Sequence, residues 1–371
     1  MLKIFASILA FLAAASNFCW GAVAGIGFGI TAEPAVFECG DCYAVMWVTS
    51  GKGSGCVKYT YNGEEKTVWD ARSGAIATDD TVHVVKVPKE ELIGNEYRVV
   101  SQSVTYKFAY FALKGKTVES VTYSFGGVPK DDDIKILSIS DIHGLEKKAT
   151  KAVSHISERP DLVVLLGDIP SKMESKENFI TILEDAHMLS GGEVPVLYVR
   201  GNHETRGEFA PLLPDYFPTS TGELYFTFDF GALSAAVLDT GEDKADDHSE
   251  YSGLVDFEAY RKQEFGWING LDGSDLGGKY KIVFSHMPNI DDHFGMNWKK
   301  PFEELGASLI VSGHMHTVDF IDGELPTVIG GGKIDGGDGF GVTLLTLKDG
   351  KINVKTVNTD GNILLEKTVN A

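Results

Sequence analysis

Positive charge is scarce in this 371-residue chain, which has 33 Lys and Arg residues against 53 Asp and Glu residues. The formal net charge of −20 leaves the chain without an overall attraction to nucleic acid or to an anionic membrane. We therefore expect no nucleic-acid partner. An anionic substrate is not excluded, because bound metal ions can reverse the electrostatic field at one site.

Repeats and low-complexity segments are missing from the sequence. The 42 glycines follow no regular period, which excludes a collagen-like chain. A hydrophobic content of 43% and an aromatic content of 11% exclude a disordered chain. At this length the composition predicts packed cores and room for two domains.

The amino terminus has the pattern of a signal peptide. Lys3 supplies a positive charge, residues 4–15 are apolar, and Ala22–Ala24 fit the small-residue rule for cleavage. Ala13–Ala15 offer an earlier cleavage site, and an uncleaved anchor helix is the alternative. Because a glycine-rich stretch follows, we favour a signal peptide over residues 1–24, export, and no stable membrane span after cleavage.

Cysteine is also rare, and export would place it in an oxidising compartment. Beyond residue 24 the chain has Cys39, Cys42 and Cys56. The first two have the spacing of half a zinc knuckle, but the second pair that such a site needs is missing. We expect one disulfide and one buried thiol, with Cys39 paired to either Cys42 or Cys56.

The sequence pattern changes near residue 130. Before it, short β-type segments recur about every ten residues, which is typical of a β-sandwich. The predicted strands are 44–48, 56–61, 82–87, 97–100 and 121–125. Leu92–Tyr97 resembles the tyrosine corner of fibronectin type III domains. We therefore predict an all-β, fibronectin type III-like sandwich over residues 25–129.

Residues 130–371 have the pattern of a second, α/β domain. Continuous apolar runs alternate with helical patterns there, as in sheets that are covered on both faces. Helices are predicted over 145–158, 176–188 and 257–271, and a β-hairpin is predicted to turn at Gly231.

Polar side chains follow five of these apolar runs, at the point where each run ends. The segments are Asp141-Ile142-His143, Gly167-Asp168, Gly201-Asn202-His203-Glu204, Ser285-His286 and Gly313-His314-Met315-His316. Ligands of open α/β sheets bind at the carboxyl ends of the strands. Half of the ten histidines fall in these segments, which favours one shared site over five independent loop residues.

These five segments resemble, in order, the D-x-H, G-D, G-N-H-[DE], H and G-H-x-H pattern of the calcineurin-like metallophosphoesterases. The resemblance covers roughly residues 130–345 and implies a four-layer α/β/β/α sandwich with a binuclear metal centre. One ion would be held by Asp141, His143 and His316, and the other by Asn202, His286 and His314, with Asp168 bridging the two.

The same resemblance implies a reaction. A hydroxide that bridges two metal ions would attack a phosphate ester, either a monoester or a diester. His203 is implied as the general acid that protonates the leaving-group oxygen. Mixed nitrogen and oxygen ligands suit divalent or trivalent ions of the Fe, Zn or Mn class.

The order of the two domains, a fibronectin-like domain followed by such a catalytic domain, also resembles that of the purple acid phosphatases. Those enzymes carry an iron-binding tyrosine three residues after the bridging aspartate, and this chain has Ser171 at that position. His143 instead completes the D-x-H segment. We therefore expect the generic di-metal site rather than the tyrosine–iron variant.

Three other features are weaker candidates. His293 and Arg206 could line a substrate mouth, although a solvated loop histidine and a surface arginine are the favoured interpretations. The glycine-rich segments 330–332 and 336–339 precede no predicted helix, so we expect turns there rather than a phosphate cradle.

The alternative to an enzyme is a catalytically inactive cell-surface binding module on the same scaffold. Such a module would normally have lost a metal ligand, and every ligand of the family pattern is present in this sequence. The favoured hypothesis is therefore an exported di-metal phosphohydrolase.

The mature amino terminus tests the export prediction. Secreted protein should begin at Gly25, or at Ser16 if the upstream cleavage site is used. Intact-mass measurement of the secreted material distinguishes the two products. A mass that still includes Met1 would contradict cleavage.

Overall fold

The computed structural model describes residues 27–129, 131–336 and 339–371, so the predicted signal peptide lies outside it. The chain divides into two compact units. Among the described residues, the first unit comprises those within 27–36, 42–126 and 191–193, and the second comprises those within 37–41, 127–190 and 194–371.

The first unit is built almost entirely from strands. They are β1 (Ile30–Glu38), β2 (Cys42–Thr49), β3 (Gly53–Tyr61), β4 (Glu64–Trp69), β5 (Ala71–Arg72), β6 (Ala75–Ile76), β7 (Val82–Pro88), β8 (Glu96–Phe108), β9 (Phe111–Glu119) and β10 (Tyr123–Ser124). A single turn of helix, α1 (Lys89–Leu92), follows β7.

Two sheets form the core of this unit. One has the order β1–β2–β7, and the other has the order β10–β8–β3–β4 with β9 paired to β8. Trp47 and Val85 from the first sheet and Val57 and Val99 from the second are buried in the same cluster. Inward-facing residues of both sheets therefore share one core, as in a two-sheet sandwich.

Tyr97 does not form the predicted tyrosine corner. In such a corner the hydroxyl bonds to the backbone a few residues upstream. Here it donates to the carbonyl of Gly192 at 2.7 Å, 95 residues later in the chain. Residues 191–193 belong to this unit, and Gly126 N–H donates to the Glu193 carbonyl at 2.6 Å. The prediction of a tyrosine corner is therefore wrong.

The cysteines follow the expectation of one disulfide and one buried thiol. Cys39 and Cys42 are disulfide-bonded, whereas Cys56 is a free thiol. Because Cys56 is free, the two bonded cysteines pair with each other. Burial raises the pKa of the Cys56 thiol to about 11, so this group is protonated and unreactive at neutral pH.

The second unit has thirteen strands among its described residues. They are β11 (Ile134–Ile139), β12 (Leu162–Leu166), β13 (Val196–Val199), β14 (Phe226–Phe230), β15 (Leu233–Leu238), β16 (Tyr280–Ser285), β17 (Leu309–Ser312), β18 (Asp319–Ile321), β19 (Thr327–Ile329), β20 (Gly332–Lys333), β21 (Phe340–Lys348), β22 (Lys351–Asn358) and β23 (Ile363–Asn370). The β14–β15 hairpin turns at Gly231, as predicted, with φ +62°.

Four α-helices and three 3₁₀ turns accompany these strands in the described part of the chain. The helices are α2 (Glu146–Val153), α3 (Lys176–Ser190), α4 (Phe257–Ile268) and α5 (Lys299–Glu304), and the 3₁₀ turns are His203–Thr205, Ala210–Asp215 and Ser249–Tyr251. Helix α2 is shorter than the predicted 145–158. It ends at Val153, and the N–H of the following Ser154 donates to the Thr150 carbonyl. None of the described helices is both long and apolar enough to cross a membrane.

Two mixed sheets pack face to face in the second unit. One has the order β23–β22–β21–β11–β12–β13, and the other has the order β14–β15–β16–β17–β19–β18. Leu162, Val164 and Leu166 of β12 are fully buried in a core that Val237 and Ile282 of the other sheet complete. Val163 and Leu165, which point to the opposite face of β12, are also fully buried. Continuous apolar strands are the sequence signature of this double covering.

Helices cover the outer faces of both sheets. Helix α2 packs on β21 and α3 packs on β12, while Ile268 of α4 and Phe302 of α5 join Val283 and Ile310 of the second sheet in a separate core. The layers therefore run helix, sheet, sheet, helix. Within each sheet, β11, β12 and β13, and likewise β16 and β17, are parallel neighbours. Their carboxyl ends consequently lie at one edge.

A buried histidine gives the first unit a defined pH response. His83 is 1% exposed, lies 4.9 Å from the Trp47 ring, and has its Nε2 3.1 Å from the Thr49 hydroxyl. Asp70 Oδ2 lies 3.9 Å from His83 Nδ1. Burial lowers the pKa of His83 from 6.5 to about 4 despite the nearby Asp80. Between pH 6.5 and about 4 the His83 imidazole is therefore neutral in the folded chain and protonated in the unfolded chain.

His83→Gln should flatten the pH dependence of stability. Between pH 6.5 and about 4 only the unfolded state binds this proton, so His83 lowers the free energy of unfolding by about 1.4 kcal/mol for each pH unit of acidification. Chemical denaturation at neutral pH and near pH 5 measures the effect, with the exposed His155→Gln as matched control. Equal slopes for wild type and His83→Gln would contradict it.

Candidate metal centre

The structure brings all eight predicted site residues together at the carboxyl ends of five strands. Asp141 and His143 follow β11, Asp168 follows β12, and Asn202 and His203 follow β13. The remaining three lie after strands of the second sheet: His286 after β16, and His314 and His316 after β17.

Five of these residues have a left-handed backbone. The φ angles are 49° at Asp141, 48° at His143, 55° at Asp168, 69° at His314 and 47° at His316. This conformation costs of order 1 kcal/mol or more for a residue other than glycine, and it persists where the surrounding structure enforces it. Half of the ten non-glycine residues with positive φ in the described chain therefore lie in this one site.

Glycines next to the site allow the loops to approach one another. A Cβ on Gly167 would lie 2.5 Å from His286 Nδ1 and 2.7 Å from the Cα of Gly201. Gly332 makes a similar approach to the backbone of Ser140 and to Asp141. It lies in strand β20, and Lys333 N–H donates to the Asp141 carbonyl at 3.1 Å. The predicted turn at residues 330–332 is thus in part a strand that supports the site.

The first group of converging atoms surrounds Asp141. Its Oδ1 is 3.4 Å from His316 Nε2 and 3.9 Å from His143 Nε2. The two imidazole Nε2 atoms are 3.3 Å apart. Asp141 is fully buried, and its Oδ1 has no hydrogen-bond partner in the described structure, while Oδ2 accepts from His314 N–H at 3.0 Å.

The second group surrounds the side-chain oxygen of Asn202. This Oδ1 lies 3.2 Å from His286 Nε2 and 3.1 Å from His314 Nδ1. Asp168 lies between the two groups, because its Oδ2 is 3.3 Å from His286 Nε2 and 3.6 Å from His143 Nε2. Its Oδ1 accepts from the backbone N–H of His203 at 2.9 Å.

Backbone and carboxylate acceptors fix the orientation of the imidazoles. His286 Nδ1 donates to the Leu166 carbonyl at 2.8 Å, and His316 Nδ1 lies 3.2 Å from Asp335 Oδ1. Each contact leaves Nε2 as the nitrogen that faces the site, the arrangement that metal-bound histidines have. Sequence reasoning missed Leu166 and Asp335, since only the folded chain brings them to their partners.

Glu204 holds two of the loops in place. Its fully buried carboxylate accepts from the backbone N–H groups of Asp168, Ile169 and Gly201, at 3.0, 2.8 and 3.1 Å. The loop after β12 is thereby tied to the loop after β13. The sequence pattern marks the segment that contains Glu204, but this role can be found only from the structure.

The charges in the site depend on one another. Burial opposes ionisation of His286, but the Asp168 carboxylate raises the pKa of His286 to about 10. Burial of Asp168 likewise opposes its ionisation, yet His286 lowers the pKa of Asp168. Burial lowers the pKa of His143 to about 4, so that this imidazole is neutral and able to bind a metal ion.

The arrangement fits metal ions. Nε2 of His286 lies 3.2 Å from Asn202 Oδ1 and 3.3 Å from Asp168 Oδ2, and the raised pKa of His286 places a proton on this nitrogen when no metal ion is bound. Facing acceptors at about 3 Å repel unless a proton or a metal ion lies between them. In the described chain, the side chains that could hold a metal form three overlapping groups, with ligand atoms within 4.8 Å of one another: Asp141, His143 and His316; His143, Asp168 and His203; Asp168, His286 and His314.

His203 lies at the solvent side of the site. Its Nδ1 donates to the Ser171 carbonyl at 2.7 Å, and its Nε2 is 3.9 Å from Asp168 Oδ2. Arg206 Nη1 lies 3.4 Å from the same Nε2. The other guanidinium nitrogens of Arg206 bind Glu242 in a two-point contact at 2.8 and 2.7 Å. Arg206 is thus a half-buried, oriented neighbour of the site rather than a free surface arginine.

His293 is a buried residue, and the prediction of a solvated loop histidine is wrong. It is 4% exposed, its Nε2 lies 3.0 Å from the Thr240 carbonyl, and its ring packs 4.6 Å from Trp298. It belongs to none of the three candidate metal groups of the described residues. Burial lowers the pKa of His293 to about 4, so it is a neutral core residue.

The sequence pattern of the family described as calcineurin-like phosphoesterase matches residues 134–318. This part of the chain belongs to the calcineurin-like phosphoesterase superfamily. Similar curated proteins include the serine/threonine-protein phosphatase CPPED1 of Danio rerio, 25% identical over 189 residues, and of Bos taurus, 24% identical over 197 residues. Each match spans 46% of this chain and 59% or 58% of the relative, so the likeness covers little more than half of each relative's length.

Solved structures share the fold over a larger part of the chain. A purple acid phosphatase, PPD1 from seeds of yellow lupin (Lupinus luteus), superposes with a TM-score of 0.60 over 91% of this chain and 74% of its own. PhoD superposes with a TM-score of 0.55 over 91% of this chain and 88% of its own. Both are 12% identical in sequence, so the likeness is one of fold.

Replacing Asp168 should remove both metal ions from the site. Its carboxylate contacts both groups of candidate ligands, so we expect Asp168→Ala to lose both metal ions, as measured by elemental analysis of the purified protein. Asp185→Ala removes a buried carboxylate of helix α3 that lies outside the candidate groups, and should retain the wild-type metal content. One ion still bound at the wild-type level in Asp168→Ala would contradict a shared ligand.

Proposed function

We propose that this protein hydrolyses phosphate esters at a binuclear metal centre. The observation that carries the proposal is the convergence of two buried carboxylates, one amide oxygen and four imidazoles, with candidate ligand atoms 3.2–3.3 Å apart. The family membership of residues 134–318 gives the reaction class. The phosphatase names of the curated relatives support the same class.

The ligands divide into two sets around Asp168. One ion would be held by Asp141, His143 and His316, and the other by Asn202, His286 and His314, with Asp168 shared. When bound, such ions supply a nucleophilic water of lowered pKa and positive charge for the phosphoryl oxygens. Imidazole nitrogen with carboxylate and amide oxygen suits Zn, Mn or Fe.

The chain's own residues supply orientation and exclusion of water. Asp141, Asp168, Asn202 and His286 are each 2% exposed or less, so their lone pairs are directed inward and not to solvent. The neutral amide of Asn202 would ligate without cancelling metal charge. Contacts from Leu166 and Asp335 hold the imidazole rings in place before any ligand arrives, which reduces reorganisation during the reaction.

His203 is the proposed general acid. Its Nδ1 donates to the Ser171 carbonyl, so the proton that a departing oxygen needs would come from Nε2 of the doubly protonated ring, which returns to the neutral form with its proton on Nδ1. The His203 side chain is 30% exposed, and its Nε2 lies 3.9 Å from Asp168 Oδ2, which places this nitrogen next to the candidate ligands. The position three residues after Asp168 thus contributes a backbone carbonyl that orients this histidine, where the purple enzymes have a tyrosine ligand.

We also propose that the protein is exported. The disulfide between Cys39 and Cys42 supports this proposal, because disulfides persist in oxidising compartments and are rare in the cytosol. The amino-terminal pattern of Lys3, an apolar run and small residues is independent support.

His203→Ala separates the proposed acid from the metal ligands. Both metal ions and the melting temperature should stay near wild type, while kcat falls by roughly 10²–10⁴, the usual contribution of a positioned acid. The loss should be large for an alkyl phosphate and small for a nitrophenyl phosphate, whose leaving group departs without a proton. His155→Ala, which removes an exposed histidine bonded to Thr359, should leave both rates unchanged.

Two results would contradict this assignment. Equal losses on both esters would mean that His203 orients the phosphate and does not donate a proton. Loss of a metal ion would place His203 among the ligands, as its membership in the group with His143 and Asp168 would allow.

Absence of turnover by metal-loaded wild type on any phosphate ester would favour the inactive binding module instead.

A further inference from the structure

The β8–β9 hairpin of the first unit ends in exposed aromatic residues. Tyr106 is 56% exposed, Phe108 is 51% exposed, and Tyr110, in the two-residue turn, is 93% exposed. The rings of Tyr106 and Phe108 are 6.1 Å apart, and those of Phe108 and Phe111 are 6.0 Å apart. We call residues 104–114 the hairpin tip.

One face of the hairpin tip is apolar. Phe108 pairs across the strands with Phe111, and Tyr106 pairs with Leu113. Residues two apart on a strand point to the same side, so these four side chains form one surface. Large apolar side chains clustered at an exposed site mark an interaction surface rather than a structural core.

The charge of this segment differs from that of the rest of the protein. Residues 101–118 contain Lys107, Lys114 and Lys116 and no acidic residue, in a chain whose net charge is −20. Lys107 donates to the Thr78 hydroxyl at 3.2 Å, and Lys116 donates to the Phe28 carbonyl at 3.0 Å. Neither lysine is neutralised by these contacts, because both acceptors are uncharged.

The shape of the hairpin tip favours a deformable partner. Tyr110 occupies a two-residue turn between the strands and is almost fully exposed, so it projects from the surface instead of lining a groove. Aromatic side chains of this kind settle at the headgroup level of a bilayer, and adjacent lysines are attracted to anionic lipid.

We propose that the hairpin tip docks this protein onto an anionic lipid surface. Phe108 and Tyr110 would enter the interface, and Lys107 and Lys114 would lie among the headgroups. The acidic remainder of the chain would be repelled by the same surface, so contact would be limited to the hairpin tip. This inference is independent of the proposed phosphoesterase activity.

Vesicle binding by the full chain tests the proposal. Liposome co-sedimentation compares phosphatidylcholine vesicles with vesicles that contain about one-third phosphatidylserine. The wild type should bind the anionic vesicles about tenfold more tightly, and Lys107→Gln with Lys114→Gln should abolish most of that preference, since each lysine contributes up to about fivefold. Phe108→Ser with Tyr110→Ser should weaken binding to anionic vesicles about tenfold or more.

Matched controls separate the hairpin tip from other contacts. Leu254→Ser removes a hydrophobic residue that is 86% exposed, and Lys300→Gln removes an exposed lysine of helix α5. Both should bind vesicles as the wild type does. Because all variants keep the full chain, any contribution of residues 1–24 is the same in each. A further variant, Tyr110→Trp, places an indole at the turn. Its emission maximum should shift to shorter wavelength when anionic vesicles are added.

Three results would overturn the proposal. Hairpin variants that bind like the wild type would show that another segment makes the contact. Equal binding of the wild type to neutral and anionic vesicles would remove the role of the lysines. Retention on an acidic polysaccharide, or capture of a defined protein through the hairpin tip without vesicle binding, would identify a different class of partner.

Discussion

Two carboxylates held away from water are the constraint on which the second unit depends. Asp141 is fully buried and Asp168 nearly so, and burying a charged carboxylate is costly unless it is paired. The fold compensates Asp168 with imidazoles and the backbone N–H of His203. Asp141 Oδ2 accepts from the His314 N–H, but its Oδ1 has no hydrogen-bond partner in the described structure, although His316 Nε2 lies 3.4 Å away. A bound cation is the simplest compensation for the charge that remains.

The strands and loops around these carboxylates hold them in position. Parallel strands bring the five loops to one edge, and left-handed residues turn the side chains toward each other. Glu204 ties the loop after β12 to that after β13 through three backbone N–H groups. The conformational strain at Asp141, His143 and His316 is stabilised by this surrounding framework, as is common at functional sites.

The candidate site is largely predictable from the sequence because its residues occur in short local segments. A segment such as Gly201–Glu204 is positioned by the end of the strand that precedes it. Because functional residues of open α/β sheets gather at the carboxyl ends of the strands, this segment is expected to lie beside the other four. Asp335, Glu242 and the Leu166 carbonyl are not predictable, since tertiary folding alone brings them to His316, Arg206 and His286.

The same distinction explains the errors in the fold. The sequence predicts strands with strong apolar patterns. It does not reveal β4, most of whose residues are exposed and polar, or β9, in which no residue is buried. Tyr97 has the sequence context of a tyrosine corner, but residues 191–193 supply a distant acceptor that the local sequence does not reveal. The burial of His293 escapes prediction for a similar reason, since Trp298 and Thr240 cover it only in the fold.

Anomalous scattering from crystals grown with Mn²⁺ or Zn²⁺ tests the central claim most directly. The account predicts two peaks about 3.5–4 Å apart, one contacting Asp141, His143 and His316, the other contacting Asn202, His286 and His314, with Asp168 touching both. A single peak, or two peaks that Asp168 does not join, would contradict the binuclear centre on which the proposed function depends.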